Sequence, residues 1–240
     1  MNKNILTLAI MFSPFVLADL TPQEQLTADC KKINNYTNKA DALYKSKQYV
    51  KARENYEMQA ALSEACQLDE GKISTAYNNV ALTYVHTNEF LKAFAWLNIN
   101  HDDKKSIYNL DKFKDEIVKA EETSKNKVTG TYWKYSGSSA WSEMKVTKAK
   151  NGEYNIAYNG IYAGFLALYG GVNLGEFFTI LDVKNNEASY IMDPDNDGNC
   201  SYKFTFRNNR VFVDRTAGDI DECGFGHNVT AEGTYYKVQE

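Results

Sequence analysis

Proline, histidine and long hydrophobic runs are all scarce in this sequence. Its 240 residues include three prolines and three histidines, so proline-rich linkers are absent. No uncharged apolar run reaches the roughly 18 residues that a transmembrane helix needs, so we expect no membrane span in the mature protein. Lysine and arginine number 27 against 31 aspartate and glutamate residues, a formal net charge of −4. This balance does not support nucleic-acid binding, which needs a basic surface.

The N-terminal residues 1–18 have the features of a signal peptide. Lys3 supplies a positive charge, residues 5–17 are almost entirely apolar, and the tripeptide 16–18 fits the small-residue cleavage rule. The apolar run is shorter than the roughly 20 residues that span a bilayer. We therefore expect cleavage before Asp19 and a periplasmic or secreted mature protein.

Export changes the interpretation of the cysteines. There are four of them: Cys30, Cys66, Cys200 and Cys223. An even number in an oxidising compartment favours disulfides over metal-bound thiolates. No C-x2-C pair is present, so the spacing fits no common zinc motif.

Glycine usage divides the mature chain into two predicted domains. Residues 19–127 contain one glycine and residues 128–240 contain 13. The first segment is helical in pattern, and Thr21-Pro22 is a typical helix start. The second is rich in β-branched and aromatic residues. The sequence therefore predicts an α+β protein with a helical domain followed by a β domain.

The helical segment contains an internal repeat. Small and aromatic residues recur with an offset of 41 residues, and each unit has a polar turn between its two alanines. The matched pairs are Ala40/Ala81, Leu43/Tyr84, Tyr49/Phe90, Ala52/Ala93 and Tyr56/Leu97. Alanines at these positions let paired helices approach closely, and the aromatic residues fill the spaces between them.

This pattern of small residue, turn and aromatic-x2-Ala-x3-aromatic resembles the tetratricopeptide repeat (TPR). The usual period of that family is about 34, so the longer period here predicts lengthened helices around residues 64–74. A third helix is expected over residues 110–122, as a cap on the array. The resemblance implies hairpins of helices and binding of a protein or peptide, whereas the alternative is a generic helical bundle.

The predicted first hairpin gives a cysteine pairing. Its turn lies near residues 47–48, so Cys30 and Cys66 stand at similar distances on either side of it. In an antiparallel helix pair these two positions face each other. We therefore expect a Cys30–Cys66 disulfide that closes the open end of the hairpin.

The β segment contains about eight short strands, which is typical of a small antiparallel barrel or sandwich. Turn residues at Asn151-Gly152 and Asn208-Asn209 predict two hairpins. Cys200 begins one strand and Cys223 follows the next, which predicts a second disulfide. The predicted strands cover residues 128–135, 142–148, 153–158, 177–183, 188–192, 200–206, 210–214 and 233–238.

One acidic loop resembles the first half of a calcium loop. Asp193, Asp195 and Asp197 follow the D-x-D-x-D-G pattern, and carboxylate oxygens suit Ca²⁺. The twelfth position is Phe204, however, where an EF-hand has glutamate. The alternative is a solvated turn, since turns favour Asp, Asn and Gly. Calcium is the only cofactor that the sequence suggests.

Two further segments are candidates for contact with a partner. Phe225 and His227 lie in a glycine-rich turn, where aromatic residues on a rigid loop suit an interface. Residues 160–175 are apolar and rich in glycine. They are either part of the core, as a short helix or hairpin over one mouth of the barrel, or an exposed patch.

No catalytic motif is present: the sequence lacks G-x-S-x-G, H-E-x-x-H and a phosphate-binding glycine loop. We therefore expect a non-enzymatic, exported protein-binding module. It is either an inhibitor or immunity protein that acts through residues 193–198 and 219–228, or an envelope-assembly adaptor. An adaptor would use the repeat groove, with Tyr44, Tyr77 and Tyr84 as contacts. The alternative from another class is a small-ligand- or calcium-binding β domain.

Overall fold

The computed structural model describes residues 20–125, 127–164, 166–192, 200–219 and 223–240. Seven helices come first and an eight-stranded antiparallel sheet follows, which confirms the predicted α+β fold. The helices are α1 (Pro22–Cys30), α2 (Ile33–Lys45), α3 (Tyr49–Ala65), α4 (Glu70–His86), α5 (Phe90–Leu97), α6 (Lys104–Lys112) and α7 (Lys114–Ser124).

Side-chain caps begin three of these helices. Thr21 and Glu24 form a capping box at α1, with Pro22 at the first helical position. The Asp69 carboxylate accepts a hydrogen bond from the Lys72 amide at the start of α4. Asp103 accepts from the amides of Lys105 and Ser106 at the start of α6. Each cap satisfies an amide that the helix leaves unpaired.

The repeat positions lie in the helical core. Ala40, Ala52, Ala81 and Ala93 are each 0% exposed, as close helix approach requires. The polar turns separate α2 from α3 and α4 from α5. Helices α3 and α4 each have 17 residues, which accounts for the long period.

The third predicted helix differs from the expectation. It starts earlier and divides at Phe113 into α6 and α7. The division lets α6 pack against α4 while α7 packs against α5. Ile107 is exposed, whereas Ser106 and Asn109 are buried. The buried face of α6 is therefore polar, and its hydrogen-bond partners lie on α4.

The β half is a single sheet in which most neighbours in space are neighbours in sequence. Its order is β4-β3-β2-β1-β8-β7-β6-β5, so β1 pairs with β8 and the sheet curls into a nearly closed barrel. Two consecutive asparagines with positive φ, Asn208 and Asn209, form the tight β6–β7 turn. The strands are β1 (Gly130–Tyr135), β2 (Trp141–Lys148), β3 (Tyr154–Tyr162), β4 (Asn173–Leu181), β5 (Glu187–Ile191), β6 (Ser201–Arg207), β7 (Arg210–Ala217) and β8 (Gly233–Gln239).

Large side chains fill the barrel. The fully buried residues include Tyr132, Met144, Tyr158, Phe204 and Tyr235. On the inner side, the rings of Phe177 on β4 and Tyr190 on β5 lie 5.0 Å apart between the two end strands of the sheet. The interior is therefore a packed core.

The two halves are joined by specific contacts. The Glu64 carboxylate on α3 accepts hydrogen bonds from the Tyr135 hydroxyl and, at 2.9 Å, from the Ser138 amide. The rings of Trp96 on α5 and Trp141 on β2 lie 5.3 Å apart. Because α5 also packs along β8, the helices form a platform for one side of the barrel.

The described residues of the glycine-rich segment 160–175 include apolar side chains that pack against the helical half. It contains the end of β3, the short helix α8 (Ala167–Gly170) and the start of β4. Leu166, Leu168 and Tyr169 pack against the core formed by α1 and the end of α3. The Tyr169 hydroxyl donates to Asp29 at 2.7 Å. The apolar residues of this segment therefore serve the contact between the halves.

Both predicted disulfides, Cys30–Cys66 and Cys200–Cys223, are present. Two disulfides fit an oxidising extracellular or periplasmic environment. Among the residues described, no helix is long and apolar enough to cross a membrane. The signal peptide predicted at residues 1–18 lies outside the described residues.

Candidate functional site

Tyr44 lies half-buried at the tips of the two helical hairpins. Its ring centroid is 5.3 Å from that of Tyr49 and 5.2 Å from that of His86. Tyr49 and His86 stack in parallel with 4.3 Å between their centroids. This cluster joins the two polar turns, so Tyr44 has a packing role in addition to any contact with a partner.

Tyr77 and Tyr84 are buried by other parts of the chain. The Tyr135 ring of β1 lies 5.6 Å from Tyr77, so the β half covers the helical face that includes Tyr77. The Arg53 guanidinium lies 3.5 Å from the Tyr84 ring centroid. Burial, with a contribution from the Glu57 carboxylate, raises the pKa of Tyr84 to about 12. A partner could reach these two rings only after the covering groups moved.

Phe225 and His227 lie at one mouth of the barrel and differ in exposure. Phe225 packs inward on the core, with its ring centroid 5.7 Å from that of Tyr158. His227 is exposed. The two residues lie on the β half, so the structure does not bring them together with Tyr44, Tyr77 and Tyr84. Their predicted role in partner binding stays a prediction.

The predicted calcium ligands Asp193, Asp195 and Asp197 lie outside the described residues. Within the part of the chain that the structure describes, no group of three or more His, Cys, Asp or Glu side chains could hold a metal ion. Calcium binding by the acidic loop stays a prediction.

An open groove lies between α4 and α6. It encloses about 370 Å³ and is bordered by Thr75, Asn78, Asn79 and Leu82 from α4, and by Lys104, Lys105, Tyr108 and Asn109 from α6 and its start. Residues 75, 79 and 82 follow the helical spacing of one face, as do residues 105, 108 and 109. The ring of Tyr108 is 65% exposed at the rim.

Buried amides fix the floor of this groove. The Asn78 side chain donates to the Ser74 carbonyl at 2.8 Å and to the Ser106 hydroxyl at 2.9 Å. Asn109 donates to the Asn78 carboxamide oxygen at 2.7 Å. These bonds hold α6 against α4 through polar groups, so the position of the floor is fixed.

Several polar groups in the groove remain available to a ligand. The carboxamide oxygens of Asn79 and Asn109 accept no hydrogen bond from any described residue. Lys104 forms no ion pair with a described residue, and Lys105 donates to the neutral Thr75 hydroxyl. The groove therefore offers amide acceptors and two cations to whatever binds there.

An adjoining hollow of about 480 Å³ continues past the start of α6. It shares Lys104 and Lys105 with the groove, but its other borders include Glu70, Asp102 and Asp103. The positive region is thus limited to the section between α4 and α6.

The sequence interpretation missed these groove residues. It emphasised tyrosines, whereas the lining is mainly Asn, Thr and Lys. The available signal was Asn78 and Asn109, which are polar residues at helix positions where the apolar pattern predicts burial. No family model, curated protein or solved structure matches this chain.

Proposed function

We propose that this protein is an exported, non-enzymatic protein-binding module whose α4–α6 groove binds an extended acidic segment of another protein. The observation that carries this proposal is the groove itself, with two lysines and an exposed tyrosine above a floor of fixed amides. Export is supported by the signal-like N-terminus and by the two disulfides.

The TPR-like organisation supports this function. The alanines repeated at an offset of 41 residues are buried between paired helices, and α6 extends the array beside α4. Stacked helix pairs create extended concave surfaces, which such proteins use for binding. The β half covers the face around Tyr77, whereas the α4–α6 side is open to a partner.

The chemistry of the groove selects the kind of segment. An extended chain presents backbone N–H groups that the carboxamide oxygens of Asn79 and Asn109 can accept. Lys104 and Lys105 favour carboxylates over cations. Tyr108 offers an aromatic surface to an apolar side chain. An acidic segment with at least one apolar residue satisfies all three.

The position of the groove favours the adaptor role over the inhibitor role. An inhibitor is expected to act through rigid protruding loops at residues 193–198 and 219–228, most of which lie outside the described residues. An adaptor is expected to act through the helical half, where the groove lies. We therefore place the principal contact on α4 and α6.

The test compares capture of envelope and secreted proteins by three forms of the mature chain. Lys104→Glu with Lys105→Glu reverses the groove charge, and acidic residues in the first turn of α6 preserve the helix. Lys114→Glu with Lys119→Glu makes the same change on exposed positions of α7 as a matched control. We expect a stoichiometric partner with the natural chain and the control, and at least about tenfold less with the groove variant.

The captured partner is then cut into segments, and the binding segment is titrated against all three proteins by calorimetry. An acidic segment that binds the natural chain and the control, but not the groove variant, supports the proposal. Equal recovery of the same partner by the groove variant contradicts it, as does a binding segment with net positive charge.

A further inference from the structure

A small pocket lies at the end of the barrel next to α7. It encloses about 190 Å³ and is bordered by residues 206–210, which include the β6–β7 turn, by Asn186, and by Lys127, Val128 and Tyr132. It shares no residue with the α4–α6 groove. Sites for drug-sized ligands enclose at least about 300 Å³, so this pocket fits a smaller molecule or ion.

Positive charge surrounds this pocket, in a chain whose formal net charge is −4. Lys127, Arg207 and Arg210 border it directly. The Lys237 ammonium group donates to the Lys127 carbonyl and lies 5.2 Å from the centre of the Tyr132 ring, and Lys127 and Tyr132 both border the pocket. Among the described residues, neither guanidinium group forms an ion pair, so no carboxylate neutralises them by direct contact.

Carboxylates offset only part of this charge. Glu240 pairs with Lys127 at 2.8 Å. Glu121 interacts with one of the guanidinium groups, whose charge counteracts the burial that raises the pKa of Glu121. Glu187, beside the pocket border, is already neutralised by Lys203 at 2.8 Å. The four cations and the two carboxylates that interact with them therefore leave an excess of two positive charges.

The β6–β7 turn adds hydrogen-bond donors that no part of the described chain uses. Asn208 and Asn209 have φ angles of 51° and 55°, and their consecutive amide N–H groups donate to no described residue. The Asn209 side chain donates to the Glu121 carbonyl at 2.7 Å and accepts from the Ser124 hydroxyl at 3.0 Å, so the turn is held in place. The Nε atom of Arg210 is buried without a hydrogen-bond partner. Consecutive turn amides form anion-binding concavities, and a buried unpaired donor indicates an acceptor from outside the chain.

We propose that this pocket binds a phosphate group, either as inorganic phosphate or as part of a small phosphate ester. Near pH 7 such a group carries about −1.5 to −2 charges, which matches the excess of positive charge. Its oxygen atoms accept hydrogen bonds from several directions, as the turn amides, the guanidinium groups and Lys127 require. Water satisfies single donors but leaves the excess charge uncompensated. This inference is independent of the proposed function, because the pocket and the α4–α6 groove have no residue in common.

Calorimetric titration of the mature, oxidised chain with inorganic phosphate and with glycerol phosphate tests the proposal at about pH 7. We expect saturable binding of a single ligand per chain, with a dissociation constant below about 1 mM, in sodium chloride of constant ionic strength. Tighter binding of the inorganic ion identifies free phosphate as the ligand, and tighter binding of glycerol phosphate identifies a phosphate ester. Heats no larger than those of dilution up to about 10 mM of both ligands overturn the proposal.

Lys127→Gln with Arg207→Gln removes two exposed cations from the pocket border. Lys39→Gln with Lys51→Gln, at exposed positions on α2 and α3, makes the same change in net charge elsewhere and is the matched control. The affinity for phosphate should fall at least about tenfold in the pocket variant and stay unchanged in the control, because the removed cations supply charge-assisted hydrogen bonds. Equal affinity of the two variants overturns the proposal.

A bound phosphate should also raise the pKa of Lys237 above its value of about 8 in the free protein, because the negative charge favours the ammonium form. Lys134, whose pKa is also about 8, does not border the pocket and is the internal control. NMR titration of the two lysine side chains with and without phosphate measures both pKa values without a mutation. An equal shift of both pKa values, or no shift for Lys237, overturns the proposal, since screening by salt acts on both groups alike.

Discussion

Lys237 is a lysine enclosed at the end of the barrel next to α7, with 1% of its surface exposed. Its ammonium group donates to the carbonyls of Ser124 and Lys127, and no carboxylate of the described residues lies at hydrogen-bond distance from it. Burial lowers its pKa from the ordinary 10.5 to about 8. Lys134, which donates to the carbonyls of Thr230 and Glu232, has its pKa lowered to about 8 for the same reason.

These two lysines predict how stability depends on pH. Between about pH 8 and 10 the unfolded chain binds more protons at these sites than the folded chain, so the free energy of unfolding rises with pH. Each lysine contributes up to about 1.4 kcal/mol per pH unit. The buried tyrosines, whose pKa values are raised, oppose this trend only above about pH 10.

Lys237→Met should reduce the rise in stability between pH 8 and 10 to about half, because Lys134 remains. Urea unfolding at several pH values measures this pH dependence of the free energy of unfolding. Lys119→Met, at an exposed position on α7, is the control and should keep the full rise. An unchanged pH dependence in the Lys237 variant would show that the ammonium group is not desolvated in the folded protein.

At the scale of elements, one loop closes a mouth of the barrel by close contact with β4. Phe225 lies over the core, and a Cβ atom added to Gly175 would come within 2.6 Å of its ring. The Gly226 amide donates to the Leu174 carbonyl at 2.8 Å, so the loop is fixed to β4 by its backbone as well. Position 175 therefore requires glycine because the Phe225 ring leaves no room for a side chain, and not because of the backbone conformation.

Gly175→Ala should lower the free energy of unfolding by about 1–3 kcal/mol, because the added methyl group displaces Phe225. Phe225→Ala should cost about 2 kcal/mol through lost packing. The double variant should lose less free energy of unfolding than the two single variants added together, since removing the ring also removes the clash. Gly164→Ala, where the nearest atom would be 3.7 Å away, is the control. Strict additivity would contradict the proposed contact.

Local sequence patterns predicted the helices and strands of this fold and some of their contacts, because these elements repeat apolar and turn residues at regular intervals along the chain. Repeated alanines and polar turns define the hairpins, and the position of Cys30 and Cys66 around one turn gives their pairing. The inward direction of Phe225 and the cover over Tyr77 depend on chain segments distant in sequence. A period of two or 3.6 residues states which face is apolar, but not which surface will cover it. The α4–α6 groove was missed for the related reason that its floor is polar.

At the scale of the whole molecule, the two halves share buried aromatic surface. Trp96 packs against Tyr135 and Trp141 from the barrel, and the Phe94 ring lies 5.7 Å from Tyr236 on β8. The Asn209 side chain at the β6–β7 turn donates to the Glu121 carbonyl of α7 at 2.7 Å. Neither half can unfold without exposing aromatic surface of the other.

This junction predicts one cooperative unfolding transition for the mature, oxidised chain. Trp141→Ala should lower the stability of both halves together by about 2–3 kcal/mol, because it leaves a cavity between them. Tyr108→Ala, which removes an exposed ring, should change stability by less than about 0.5 kcal/mol.

Hydrogen exchange in increasing urea, read separately on peptides from α2–α4 and from β5–β7, measures the urea midpoint of unfolding for each half. In the natural chain the midpoints should coincide, and in the Trp141 variant they should fall by the same amount. Urea midpoints more than about 0.5 M apart would show that the helices and the barrel unfold independently. The aromatic contacts between them would then not couple the unfolding of one half to that of the other.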